Sequence, residues 1–304
     1  MHELSAVLPT IAAFHEASLA SRTPVCIAVS GGVDSMVLLH SYQQLVGPEH
    51  LLALQIHHGT GHYADAALQL VQQYCAEQAI RCRVYHLPPP PTSNKEATWR
   101  AARQEIFAQV IATEPVDRVL TAHHAGDLTE TMLYRFITGA SAHGLSPLDP
   151  STRPLLPLSK STLIAYAAAY AVPYLEDPSN ADTSYARNRL RQAVVPECEH
   201  ITPHLDQVMG RSAAYFARLS DYLRATVAPY LERDSLPLRE FVALHPFLQS
   251  ELLYQMAGQA VGTRELHDAL RWLRTQPQGG TRKRLGGVTL QLRRGLLCWE
   301  ELLP

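Results

Sequence analysis

Six consecutive residues, Ser30-Gly31-Gly32-Val33-Asp34-Ser35, have types and spacing suited to holding a phosphate. Two glycines let the backbone turn tightly and approach a ligand with no Cβ in the way. The amides after the turn, at the start of a helix, favour negative charge through free N–H groups and the helix dipole. Ser30 and Ser35 can donate hydroxyl hydrogen bonds to phosphate oxygens. Asp34 would repel a bare phosphate, so its presence makes sense if it helps hold Mg2+ or caps the helix. The loop lacks the lysine of the Walker motif, and γ-phosphate chemistry of that class is not indicated. A plain strand–turn–helix with serine and aspartate caps is the alternative reading.

Other segments add charge. In Thr121-Ala122-His123-His124-Ala125-Gly126-Asp127-Leu128-Thr129-Glu130, the carboxylates of Asp127 and Glu130 fall three apart at a helix start, on one face. They could bind Mg2+ or a substrate ammonium, or simply complement the helix dipole. Arg100 and Arg103 share a helical face, and arginine is a natural partner for developing phosphate charge. Arg187, Arg189 and Arg191 fall within five residues, and Arg282-Lys283-Arg284 and Arg293-Arg294 lie near the end of the sequence. Each basic cluster can also be read as a solvated face. His57-His58 and His123-His124 could be taken for a metal cluster. With no cysteine ligand nearby, the expectation is against a structural zinc site.

These residues need a frame. Val25-Cys26-Ile27-Ala28-Val29 reads as a buried strand, followed by a helix from Met36 to Leu45. Strands at Leu51–Ile56, Arg83–Leu87 and Arg118–Ala122 alternate with helices at 64–79, Lys95–Ala112 and Leu128–Ile137. A further helix is expected over 4–20. Strands and helices of these lengths imply βαβ units and a doubly wound parallel sheet. The proline run Pro88-Pro89-Pro90-Pro91 marks an extended loop. Beyond it lie a helix at Thr162–Tyr170 and a turn at Asp177-Pro178-Ser179-Asn180. After Pro196 the chain reads as mainly helical through Arg274, then punctuated at Gln278-Gly279-Gly280 and ending in a hairpin of short strands over Leu285–Glu300. The boundary is placed near residue 200. This gives an α/β catalytic domain over 1–200 and a mainly helical domain over 201–304.

The 304 residues are 46% hydrophobic and 18% charged, with a net charge of −2, as in ordinary globular proteins. Overall charge gives no hint of nucleic acid. No run of 18 uncharged apolar residues occurs, so no membrane helix is expected. Met1-His2-Glu3-Leu4 has an acid and no basic start, against a signal peptide. Five cysteines, odd in number, irregularly spaced and without a CxxC pair, fit a reducing cytoplasm.

The hexapeptide resembles the PP-loop of the N-type ATP pyrophosphatases, which grips the pyrophosphate of ATP while the α-phosphate is attacked. In order with it come Arg100-Ala101-Ala102-Arg103, His123 to Glu130, Arg153-Pro154-Leu155-Leu156, Glu176-Asp177-Pro178-Ser179-Asn180 and Arg187-Asn188-Arg189-Leu190-Arg191. Over roughly residues 25–200 this series resembles the tRNA(Ile)-lysidine synthases. The resemblance implies adenylation by ATP of the position-2 oxygen of the wobble cytidine in an isoleucine tRNA with a CAU anticodon. The ε-amine of free lysine then displaces AMP. It implies that Ser30 to Ser35 bind ATP and that Asp34, Arg103, His123, Asp127 and Glu130 act catalytically, with Asp34 and Asp127 as candidate Mg2+ ligands. It assigns Arg100, Asp177, Asn180, Arg187, Asn188, Arg189 and Arg191 to tRNA or substrate, the 201–304 region to tRNA binding, and a homodimer as a plausible assembly.

The sequence departs from that family's pattern in places. Gly126 stands where an aspartate is common, Leu128 for glutamine, and Gln104 for tyrosine. Thr138 and Lys160 stand for arginine, and Gln55 opens a segment that usually reads His-x-Asn-His-Gly. A PP-loop cytidine thiolase is a competing reading, but it needs a sulfur relay or an iron–sulfur cluster that the scattered cysteines do not suggest. A non-catalytic tRNA-binding relative is the other, and it predicts no dependence on ATP.

Overall fold

A computed structural model describes residues 6–18, 24–59, 61–87, 95–140, 142–145, 148–178, 182, 186–258, 261–275 and 280–301. The proline run at 88–91, the turn at Gln278-Gly279 and Asn180 lie outside them. The chain divides into two compact units: Met1–Tyr134 with Pro147–Arg211, and Arg135–Ser146 with Ser212–Pro304.

The first unit begins α1 (Val7–Ser18), β1 (Val25–Ala28), α2 (Val33–Val46), β2 (Leu51–His57), α3 (His62–Glu77), β3 (Arg81–His86), α4 (Lys95–Thr113), β4 (Val119–Leu120), α5 (Ala125–Ile137). The four strands form one sheet in the order β3-β2-β1-β4, and every pairing is parallel. Alternate side chains show why β1 and most of β2 read as near-continuous apolar runs. Val25, Ile27, Leu51 and Ala53 enter one core with α1, α2 and α3. Cys26, Leu52 and Leu54 enter a second core with Ile106, Phe107 and Val110 of α4. Both faces are therefore covered, as a doubly wound sheet requires. Strand order reverses between β1 and β4, and ligands bind beyond the strand ends at such a point. The loop after β1 carries Ser30 to Ser35, and the loop after β4 carries His123 and leads to Asp127.

Later segments complete this unit. Helix α7 (Lys160–Ala169) is capped by Ser159, whose hydroxyl accepts from the Thr162 N–H at 3.2 Å. It packs Leu163, Tyr166 and Ala167 into the first core. A short helix α8 (Ala186–Arg189) runs into a π-type turn (Leu190–Val194) and then α9 (Val195–Ile201).

The second unit takes in α6 (Ala142–Leu145), most of the long helix α10 (Leu205–Leu231), α11 (Leu238–Ala243), α12 (Pro246–Met256) and α13 (Thr263–Arg274). Helix α13 buries Leu266, Ala269, Leu270 and Leu273, the spacing of one helical face. The expected terminal hairpin is instead a four-stranded antiparallel sheet, ordered β5-β8-β7-β6: β5 (Ser235–Pro237), β6 (Arg282–Leu285), β7 (Val288–Arg293), β8 (Leu296–Glu301). Three residues of β5 pair with Leu296 to Cys298. A three-residue strand ending in proline, about 60 residues before its partner, has too few positions to show an alternating pattern. Among the described residues, no helix is long and apolar enough to cross a membrane.

Candidate active site

A cavity of about 1060 Å3 opens at the carboxyl ends of β1, β2 and β4. Ser30, Gly32, Val33, Asp34 and Ser35 line one side, and Arg103, His123, Asp127, Asp177 and Arg191 line others. Gly31 does not line it. Its φ of +86° is costly for residues with a Cβ, and a Cβ there would stand 3.0 Å from the Ala67 Cβ on α3. Gly31 also accepts the Leu175 N–H at 3.0 Å, which ties the loop to the segment carrying Asp177.

The serines shape the loop from inside. The Ser35 hydroxyl donates to the Gly32 carbonyl at 2.9 Å and accepts from the Ser30 N–H at 3.1 Å. Gly32 caps α2 without a side-chain bond, so the first-turn amides of α2 are not capped by a side chain. This is the arrangement that favours a phosphate. Asp34 does not cap the helix. Both its carboxylate oxygens accept from Lys160 Nζ at 2.7 Å, and Lys160 lines the same cavity.

Asp127 occupies the third position of α5 and accepts the His124 N–H at 3.0 Å, half of a capping box. Burial raises its carboxyl, but His124, that backbone bond, His123 and Arg191 outweigh burial and hold it below the usual carboxylate range. His123 is pushed down to about 4 by burial, only partly opposed by Asp127, with Arg153, Arg103 and Arg187 adding to the depression. Its ring is neutral near pH 7, and Nδ1 lies 3.0 Å from Thr121 Oγ1. Gly126 has a local cause: its N–H donates to His124 Nδ1 at 3.0 Å, and a Cβ there would lie 2.9 Å from the same ring.

Glu130 does not line the cavity. It is buried and accepts from Nε and Nη2 of Arg191, the latter at 3.0 Å. The same Nη2 lies 3.8 Å from Asp127. Arg191 thus joins both carboxylates and lines the cavity, while the other basic residues of its segment lie outside the lining. Arg187 Nη2 is 3.5 Å from Thr131 Oγ1, Asn188 donates to the Asp182 carbonyl at 2.8 Å, and Arg189 and Arg100 are exposed.

Two lining residues carry no role from the sequence reading beyond marking a departure. One is Lys160, whose signal is the position of a cation one residue after the Ser159 cap. The other is Gln55, whose Nε2 donates to the Ala67 carbonyl at 3.1 Å and so fixes α3 behind Gly31.

A parallel sheet with a glycine-bearing loop and a helix start at its switch point defines a nucleotide-binding α/β domain. Residues 7–198 match the family model described as a PP-loop domain, and the chain belongs to that family. Its curated relatives include the tRNA(Ile)-lysidine synthase of Pseudomonas fluorescens, 34% identical over 239 residues, covering 72% of this chain and 53% of the relative. Another is the tRNA(Ile)-lysidine synthase of Pseudomonas putida, 33% identical over 269 residues, covering 81% and 62%. The chain thus spans between about half and three-fifths of the length of these two relatives. Among solved structures, the U34-tRNA thiolase NcsA of Methanococcus maripaludis matches with a TM-score of 0.58 and 18% identity, covering 69% of this chain and 78% of that one. That match concerns the fold alone.

Proposed function

We propose that the chain is a tRNA-modifying ligase that converts the wobble cytidine of an isoleucine tRNA with a CAU anticodon to lysidine, using ATP and free lysine. The observation that carries this reading is the meeting of the Ser30–Ser35 loop, Asp34, Arg103, His123 and Asp127 in one cavity. Similarity to the curated lysidine synthases selects the substrates from among PP-loop chemistries.

In this reading the amides from Gly32 to Ser35 hold the pyrophosphate of ATP. The position-2 oxygen of the cytidine attacks the α-phosphorus. The new O–P bond forms as the bond to pyrophosphate breaks. The lysine ammonium passes a proton to the Asp127 carboxylate, and the neutral amine attacks carbon 2, its C–N bond forming as the C–O bond to AMP breaks. Arg103 and Lys160 supply positive charge for the phosphate oxygens during the first step. Neutral His123 can donate a hydrogen bond without adding charge. Asp127, ionised at neutral pH, suits an incoming ammonium, and Arg191 and Glu130 hold it in place.

The donor chemistry fits Mg2+. Asp34 and Asp127 face the same cavity, and Mg2+ commonly takes one or two carboxylates, with phosphates and water completing its shell. When bound, the ion would neutralise charge on the departing pyrophosphate. Lysine as the amine, a cytoplasmic setting and a homodimer complete the proposal, and the homodimer can be checked by sedimentation.

The test is incubation of the protein with ATP, Mg2+, labelled lysine and tRNA. Label is expected in the CAU isoleucine tRNA and not in elongator methionine tRNA. Absence of label, or label without tRNA, would overturn the proposal.

A further inference from the structure

We infer that one exposed face of α10, carrying Tyr215, Arg218 and Tyr222, is a docking surface for RNA. The inference rests on the tRNA-modifying reading for its choice of RNA as the polyanion. At 100° per residue the three positions lie within about 60° of one another around the helix. On the opposite side α10 buries Ala213, Ser220, Leu223 and Val227. Tyr215 is 59% exposed and Tyr222 67% exposed, which is unusual for two rings on one helical stripe. Arg218 sits between them, exposed and with no ion-pair partner among the described residues. The neighbouring carboxylate, Asp221, is held by Arg224 at 3.0 Å, so it does not neutralise Arg218.

Two rings separated by a free guanidinium match the chemistry of an unpaired RNA strand. Bases stack on exposed aromatic faces, and arginine takes the phosphate between them. The tyrosines are seven residues apart, a rise of about 10.5 Å along the helix. Three stacked steps of about 3.4 Å each cover that distance. A purely apolar partner would leave Arg218 unmatched, whereas RNA satisfies both ring and charge.

The experiment uses the full chain and a fluorescent transcript of the CAU isoleucine tRNA, with binding read by anisotropy and lysine incorporation measured in parallel. Tyr215→Ala with Tyr222→Ala should weaken binding about tenfold or more, while the paired phenylalanine variant stays close to wild type. Arg218→Ala should reduce the slope of log affinity against log salt by about 0.7. Tyrosine-selective nitration of the unmodified protein, with and without tRNA, provides a readout independent of variant folding. Protection of both rings by tRNA is expected.

Unchanged binding in the alanine pair, together with unprotected rings, overturns the surface, even if lysine incorporation proceeds. Loss of self-association in the alanine pair with unchanged tRNA binding also overturns it, assigning the face to a second copy of the chain. Weakened binding and protected rings support it, even if wild type incorporates no lysine. In that case the proposed reaction fails and the surface stands.

Discussion

Lys160 Nζ lies 2.7 Å from both carboxylate oxygens of Asp34, across the mouth of the phosphate loop. The pair closes a contact between the first turn of α2 and the first turn of α7. Each partner is within reach of anything placed on the loop. Nucleotide and Mg2+ entering together would give Asp34 a new cation and Lys160 a new anion.

That exchange gives the first prediction. Lys160→Met should lower pyrophosphate release by about a hundredfold, the scale seen when one charge-stabilising donor is removed. Lys160→Arg should keep most of the activity. Thermal stability should hardly move in either variant, because a pair this exposed is worth at most about 1 kcal/mol. A Lys160→Met protein with wild-type turnover would remove Lys160 from the phosphate site. Asp34→Ala should abolish AMP formation, read by chromatography of the nucleotide products.

Gly31 combines a positive φ with a close neighbour. Gly31→Ala should destabilise the first unit by about 1–3 kcal/mol, measured by urea unfolding. Ala67→Gly in the same chain removes the 3.0 Å contact but leaves the backbone conformation. The double variant should recover part of the loss and not all of it. Full recovery would show that crowding alone requires glycine there.

Arg191 supports a buried carboxylate. Arg191→Ala leaves the buried Glu130 carboxylate without its bidentate partner, and because the Arg191 side chain is itself 44% exposed the loss is expected at about 1–3 kcal/mol, below that of a fully buried pair. Arg191→Ala with Glu130→Gln should be less destabilised than Arg191→Ala alone. A double-mutant cycle by thermal unfolding measures the difference, and additive effects would show that the two side chains are not coupled.

His123 sets a pH dependence. Its pKa is near 4 when folded against about 6.5 when unfolded, so the unfolded chain binds more protons between those values. Stability from this group is fully present above about pH 6.5 and is lost as pH falls toward 4. The total is about 3 kcal/mol. His123→Gln should flatten the decline in unfolding free energy over that window. A ring titrating near 6.5 by NMR would contradict the assignment.

The doubly wound sheet was legible because β1 and most of β2 are short apolar runs, β3 alternates polar and apolar residues, and each helix between strands is long enough to cross back. The phosphate loop was legible for a related reason: its chemistry lies in six adjacent residues. The carboxylates of Asp127 and Glu130 were visible as a pair, but their division of labour was not. Helical spacing puts both on one face. It does not show that Arg191, some 60 residues later, pairs with Glu130 while only Asp127 lines the cavity. Lys160 was visible only as a departure from a pattern, since its role depends on the approach of α7 to α2. The second sheet was half legible. Its three contiguous strands follow one another closely, while Ser235 to Pro237 has no local signature.

The backbone bond from the Leu175 N–H to the Gly31 carbonyl has a consequence for synthesis. The residues that shape the phosphate loop are made about 140 residues before Leu175. The strand that completes its crevice, β4, and the segment that fastens it, around Leu175, emerge far later. Closing so long a loop is slow relative to local helix formation. A nascent chain halted before Leu175 would therefore carry the nucleotide motif without its clasp. The clasp on the loop forms only after Leu175 has been made.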